Sequence, residues 1–147
     1  MKEVFEALAR ARAAGEATVL CTVVERRGSA PRGPGAMMAV TASQAAGTIG
    51  GGVVEHEAQQ EARRVLETKT FTARTYRLTN ESAADLGMIC GGEVTVLFHY
   101  LAPAEIPDLA AGRYLTLIEG GGAAVSNHSE PGIHGGRFSV ADRKSVV

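Results

Sequence analysis

Tryptophan is absent from this 147-residue chain, and Phe and Tyr together supply only 5% of it. Rings that scarce provide no basic-aromatic module for stacking on nucleic-acid bases. Cysteine is scarcer still. Cys21 and Cys90 stand far apart and form no CxxC pair, too few for a disulfide scaffold or a thiolate zinc site. Charge of one sign is also missing, since 15 Lys and Arg against 16 Asp and Glu leave a net charge of −1. No broad basic field therefore draws the chain to nucleic acid or to an anionic membrane. No apolar run approaches the roughly 20 residues of a membrane span. The opening MKEVFEALARARAAG places Glu3 and Glu6 where a secretory signal needs uninterrupted apolar residues. A cytoplasmic protein is expected.

What the chain does have is a globular balance, 45% hydrophobic and 21% charged, in a length suited to one ordinary domain. Val4, Phe5, Leu8 and Ala11 recur at helical spacing before Gly15, which predicts a helix over about 2–14. ATVLCTVVE, residues 17–25, is β-branched and apolar on both faces, as a strand in mid-sheet would be. GSAPRGPG, residues 28–35, can only be a loop, and residues 36–40 resume as a strand. An extended piece at 45–49 is expected to hairpin back across Ser43-Gln44, although that turn lacks the usual glycine. After Gly50-Gly51-Gly52 a helix follows, with Val54, Ala58, Ala62, Val65 and Leu66 on one face. Segments 71–79 and 93–101 predict two more strands, and RYLTLIE, 113–119, a last one. The expected fold is α+β, a mixed β-sheet with flanking helices and glycine-rich loops, and no Rossmann domain. One unit spans 1–101, followed by a Pro-punctuated connector and a glycine-rich tail over 102–147.

Eighteen glycines are many for this length, and three loops, GSAPRGPG, GTIGGG and MICGG, concentrate them at the ends of predicted elements. If the strands share one sheet, these loops cluster at one edge, where ligands commonly sit. Two readings stand for the triple glycine. It is a tight turn into a helix, or it lets an anion approach the unpaired first N–H groups. Glu55 and Glu57 in the first turn oppose a phosphate there. No GxGxxG, P-loop or GxSxG is present, and His56-Glu57-Ala58-Gln59-Gln60 ends in Gln where a zincin needs its second His. Cys90, between Ile89 and Gly91-Gly92, is either a reachable loop thiol or a small residue closing a turn, whereas Cys21 belongs to the core. Arg32, on a loop stiffened by Pro31, suits a bidentate anion contact. Arg26 and Arg27 are expected to be surface charges.

Four pieces occur in order: Gly28-Ser29-Ala30-Pro31-Arg32, Gly35-Ala36-Met37-Met38-Ala39-Val40, Gly47-Thr48-Ile49-Gly50-Gly51-Gly52-Val53-Val54-Glu55 and Asp85-Leu86-Gly87-Met88-Ile89-Cys90-Gly91-Gly92. Together, over roughly residues 4–101, they resemble the XdhC/CoxI family of molybdenum hydroxylase maturation factors. The resemblance implies binding of the molybdenum cofactor (molybdopterin), protection of its sulfurated form, and transient delivery to an apo molybdenum hydroxylase. A cysteine desulfurase is a further candidate partner. Carried over by position, it implies a cofactor-contact set of Ser29, Arg32, Gly50, Gly51, Gly52, Glu55, Cys90, Gly91 and Gly92. Within that set Arg32 or the glycine backbone is a candidate for the phosphate, Glu55 for the pterin donor edge, and Cys90 for contact with molybdenum. Some relatives carry cysteine where Val53 stands, so no two-thiol site is implied. Many carry a second, Rossmann-type domain that is not expected within this chain.

Two other functions compete with a cofactor carrier. One is a thiol-dependent enzyme using Cys90, which needs a neighbouring base or second thiol. The other is an assembly subunit whose glycine loops only shape an interface. A homodimer is a further expectation, because strands apolar on both faces in so small a chain invite cover from a second copy.

Overall fold

The computed structural model describes residues 2–78 and 91–106, and the backbone of 115–119, 122–126 and 145–146. Helix α1 (Lys2–Ala14) is followed by strands β1 (Thr18–Arg27), β2 (Met37–Val40) and β3 (Ala45–Gly47). Helix α2 (Gly52–Thr68) then leads to β4 (Phe71–Leu78) and β5 (Gly92–Leu101), with a 3-10 turn at Pro103–Glu105. These five strands form one sheet in the order β3-β2-β1-β5-β4.

The α+β class is the one the sequence predicts. Strand direction differs from expectation: every pairing in the sheet is antiparallel, so the sheet is not mixed. Short hairpin connections explain this for β2–β3, since a four-residue link cannot carry the crossover that a parallel pair needs. That link closes without glycine because the Thr41 hydroxyl accepts the N–H groups of Ser43 and Gln44, at 3.4 and 3.2 Å. Side-chain acceptors of this kind substitute for a backbone turn.

Strand β1 sits in the middle and buries both of its faces. Val19, Cys21 and Val23 join Val54, Ala58, Ala62 and Val65 of α2 with Val94, Val96 and Phe98 of β5. On the other face Leu20 joins Val4, Leu8 and Ala11 of α1 with Met37, Ala39, Leu101 and Ile106. Alternate residues of one strand thus feed two cores, the period-2 rule applied to a sheet with a helix on each side. Burying a side chain such as Leu8 or Phe98 contributes about 1.5–3 kcal/mol, so these two clusters hold the sheet and helices together.

A second small sheet has the order β7-β6-β8, from β6 (Leu115–Glu119), β7 (Gly122–Ser126) and β8 (Ser145–Val146), antiparallel at both pairings. The sequence predicts the first of these strands. The other two fall in the stretch expected to be tail, where glycine content masks pairing potential. Among the described residues no helix is long and apolar enough to cross a membrane.

Candidate functional site

Two of the predicted glycine loops touch the third. The 28–35 loop lies between the other two segments, with Gly28 and Ser29 against Gly91 and Gly92, and Pro31 and Arg32 against Gly50. Gly92 has no room for any side chain, because a Cβ there would collide with the Ser29 carbonyl. On the opposite flank a Cβ on Gly50 would stand 3.2 Å from Pro31 Cγ. Glycine at these positions therefore serves close backbone approach, and the chain segments meet because nothing stands between them.

Beside this junction is an open hollow of about 470 Å³ lined by Arg26, Gly28, Ser29, Ala30 and Pro31. Its volume falls within the range of small-molecule sites. Ser29, Arg26 and Arg32 are exposed, whereas Gly92 is buried beneath the loop. Val53, at the first turn of α2, is 65% exposed and is the large hydrophobic residue that the described surface leaves in water.

The turn into α2 is satisfied internally. Glu55 Oε2 accepts the Thr48 hydroxyl and the N–H groups of Ile49 and Gly51, the latter two at 3.3 and 2.8 Å. Gly50 N–H donates to Thr48 Oγ1 at 3.1 Å. The carboxylate thus occupies the place that an anion would take over this backbone, as negative charge at a helix start does. Two roles expected from the sequence change in consequence. The Gly50 and Gly51 N–H groups are already paired, and one Glu55 oxygen holds the turn instead of standing free for a pterin. Gly51, the N-cap of α2, has no side chain with which to cap the helix.

Charge pairing separates the arginines. Arg27 binds Glu25 at 3.0 Å, Arg77 binds Glu93 at 3.1 Å, and Arg64 and Arg74 share Glu61. Arg26 and Arg32 form no ion pair among the described residues. The Arg26 guanidinium instead lies over Gly33 while lining the hollow. The sequence treats Arg26 and Arg27 alike as surface charges, so Arg26 is the site residue it misses.

Cys21 is fully buried in the α2-side core, and burial pushes its thiol far up, so it stays protonated and inert. Cys90 lies outside the described residues, as do its neighbours 79–89. No group of three metal-binding side chains occurs among the described residues. A second, smaller hollow of about 150 Å³ lies between α1 and the β2–β3 hairpin, lined by residues that include Ala7, Arg10, Glu16 and Gln44.

Residues 11–77, which hold two of the three converging loops, match the model of the XdhC and CoxI family. Over that segment, less than half of the chain, the sequence is similar to that family. It is also similar to the uncharacterized protein YqeB of Escherichia coli (strain K12), 31% identical over 77 residues, which is 52% of this chain and 14% of YqeB. A crystal structure of a xanthine dehydrogenase from Bacillus halodurans shares the fold, with a TM-score of 0.61 and 21% identity over 92% of this chain and 46% of that one. The chain thus spans well under two thirds of the length of either protein.

Proposed function

We propose that this domain holds the molybdenum cofactor transiently and hands it to an apo hydroxylase of the xanthine dehydrogenase type. The observation that carries this reading is the meeting of the family's glycine loops beside one open hollow. The similarity of residues 11–77 to the XdhC and CoxI family supports this choice of cargo and recipient.

The residues present suit such a cargo. Among the described residues Arg26 and Arg32 offer guanidinium groups not engaged by carboxylates, which is what a phosphate oxygen requires. Ser29 adds a hydroxyl at the rim, and the exposed backbone at Gly91 beside the 28–35 loop lets a flat ring approach without meeting a side chain. Glu55 contributes by closing the Thr48–Gly51 turn that backs Pro31 and Arg32. Cys90, the covalent neighbour of Gly91, supplies a soft ligand for molybdenum in this reading. A carrier needs a site that opens as readily as it fills, and a shallow hollow on a rigid sheet edge meets that need better than an enclosed cavity. Catalysis by the described thiol is disfavoured, because Cys21 is buried and protonated.

The test is anaerobic. The chain is mixed with molybdenum cofactor and desalted, the retained pterin is assayed, and the loaded chain is then offered to an apo hydroxylase. Retention followed by restored hydroxylase activity is expected, and a folded sample that retains no pterin contradicts the proposal. Loss of retention in Cys90→Ser supports the thiol contact, whereas unchanged retention removes that contact and leaves the carrier role standing.

A further inference from the structure

Consecutive strand residues point to opposite faces, so Arg26 and Arg27 must diverge, and the register decides which goes where. In the regular part of the β1–β5 pairing Val23 faces Val96; the register then slips, and Glu25 faces Thr95. Val24 is the extra residue, a β-bulge. Beyond it Arg26 is opposite Val94 and Arg27 is opposite Glu93. Residues directly opposite in an antiparallel pair share a face. Val94 belongs to the α2-side core, so the bulge carries Arg26 to the face of α2 and the glycine turn. Arg27 goes to the other face, where Glu25 binds it at 3.0 Å and Arg77 binds Glu93 at 3.1 Å. Without Val24 as an extra residue, Arg26 would pair opposite Glu93 and Arg27 would take the hollow side.

We infer that Arg26, placed by the bulge at Val24, is the anion-recognising residue of the hollow and takes the phosphate monoester of the ligand bound there. Three observations converge on it. Arg26 lines the hollow, it has no carboxylate partner among the described residues, and among the donors of the glycine turn Ile49 and Gly51 N–H are taken by Glu55 and Gly50 N–H by Thr48. The phosphate is therefore held at the 26–33 flank, and the Gly50–Gly51 backbone takes no part in holding it. The inference deepens the carrier reading and rests on it for the rest of the ligand, but not for the anion.

The experiment follows the arginine Nε–Hε resonances of the isotopically labelled chain during titration with inorganic phosphate and with phenyl phosphate. In parallel, cofactor retention is measured for the unaltered chain, Arg26→Gln and Arg27→Gln. Saturable shifts are expected at Arg26 and at the backbone amides of residues 28–33, with the affinity read from those amides weakened about tenfold in Arg26→Gln and unchanged in Arg27→Gln. Tighter binding of the monoester than of free phosphate assigns the site to an esterified ligand, and equal or weaker binding overturns the monoester assignment. Phosphate shifts that are absent, or equal in all three chains, overturn the role of Arg26. Cofactor retained equally by the unaltered chain and Arg26→Gln overturns it too, while the carrier reading survives. Phosphate bound through Arg26 with no pterin retained by any chain leaves the anion site standing and removes the carrier reading.

Discussion

Two residues set consequences that reach beyond their own contacts. Glu55 accepts three donors of the turn before α2, and Glu55→Ala leaves all three without that acceptor. The site is half-buried, so water replaces part of the loss, and thermal unfolding should show a cost of about 1–3 kcal/mol. Glu55→Gln keeps one acceptor oxygen and should lose less; an alanine variant as stable as the unaltered chain would contradict the turn-closing role. His99 is the second case. It is buried beside Leu20, its ring stands edge-on to Phe71 at 6.1 Å, and its Nδ1 is buried with no partner among the described residues. Burial lowers its pKa from 6.5 to about 4, against an opposing pull from Glu105. Between those two values the unfolded chain binds a proton that the folded chain refuses, so stability is full above pH 6.5 and falls as pH drops toward 4. The fall should total about 3 kcal/mol. Urea unfolding across this range should show that slope, flattened in His99→Leu, and an identical slope in both chains would contradict it.

At the scale of elements the loops carry the prediction. Gly92→Ala sets a Cβ against the Ser29 carbonyl, a backbone atom with no room to yield, and should destabilise the domain by about 3 kcal/mol. Gly52→Ala meets nothing within 4 Å and bears only the strain of φ +62°, about 1–2 kcal/mol. Chemical denaturation of both variants checks the ranking, and the reverse order would contradict the packing of the 28–35 loop on β5. The elements themselves were legible. Val4, Leu8 and Ala11 announce α1, and the two-faced apolarity of residues 18–23 announces a central strand. The aim of the arginines was not legible, because a bulge at Val24 is decided by pairing with β5, some seventy residues along the chain. The Glu55 bonds were hidden for a related reason: the acceptor is set by how the glycine turn folds back, and spacing alone made Glu55 look free.

For the molecule as a whole, the antiparallel sheet with a helix on each face acts as a rigid frame whose one edge gathers the loops. Of the site expected from the sequence, Ser29, Arg32, Gly50, Gly91 and Gly92 come together on or beside the 28–35 loop, and Gly51, Gly52 and Glu55 form the adjoining turn. Cys90 falls outside the described residues. Loop convergence was legible only as a condition, that the strands share a sheet, and the pairing of β1 with both β2 and β5 meets that condition. The fold is shared with a chain of about twice the span. The most direct measurement is a backbone amide shift map of the labelled chain titrated anaerobically with molybdenum cofactor. Concerted changes in residues 26–33, 48–52 and 91–92 are predicted. Changes confined to the hollow between α1 and the β2–β3 hairpin, around Ala7, Arg10 and Gln44, would contradict the account.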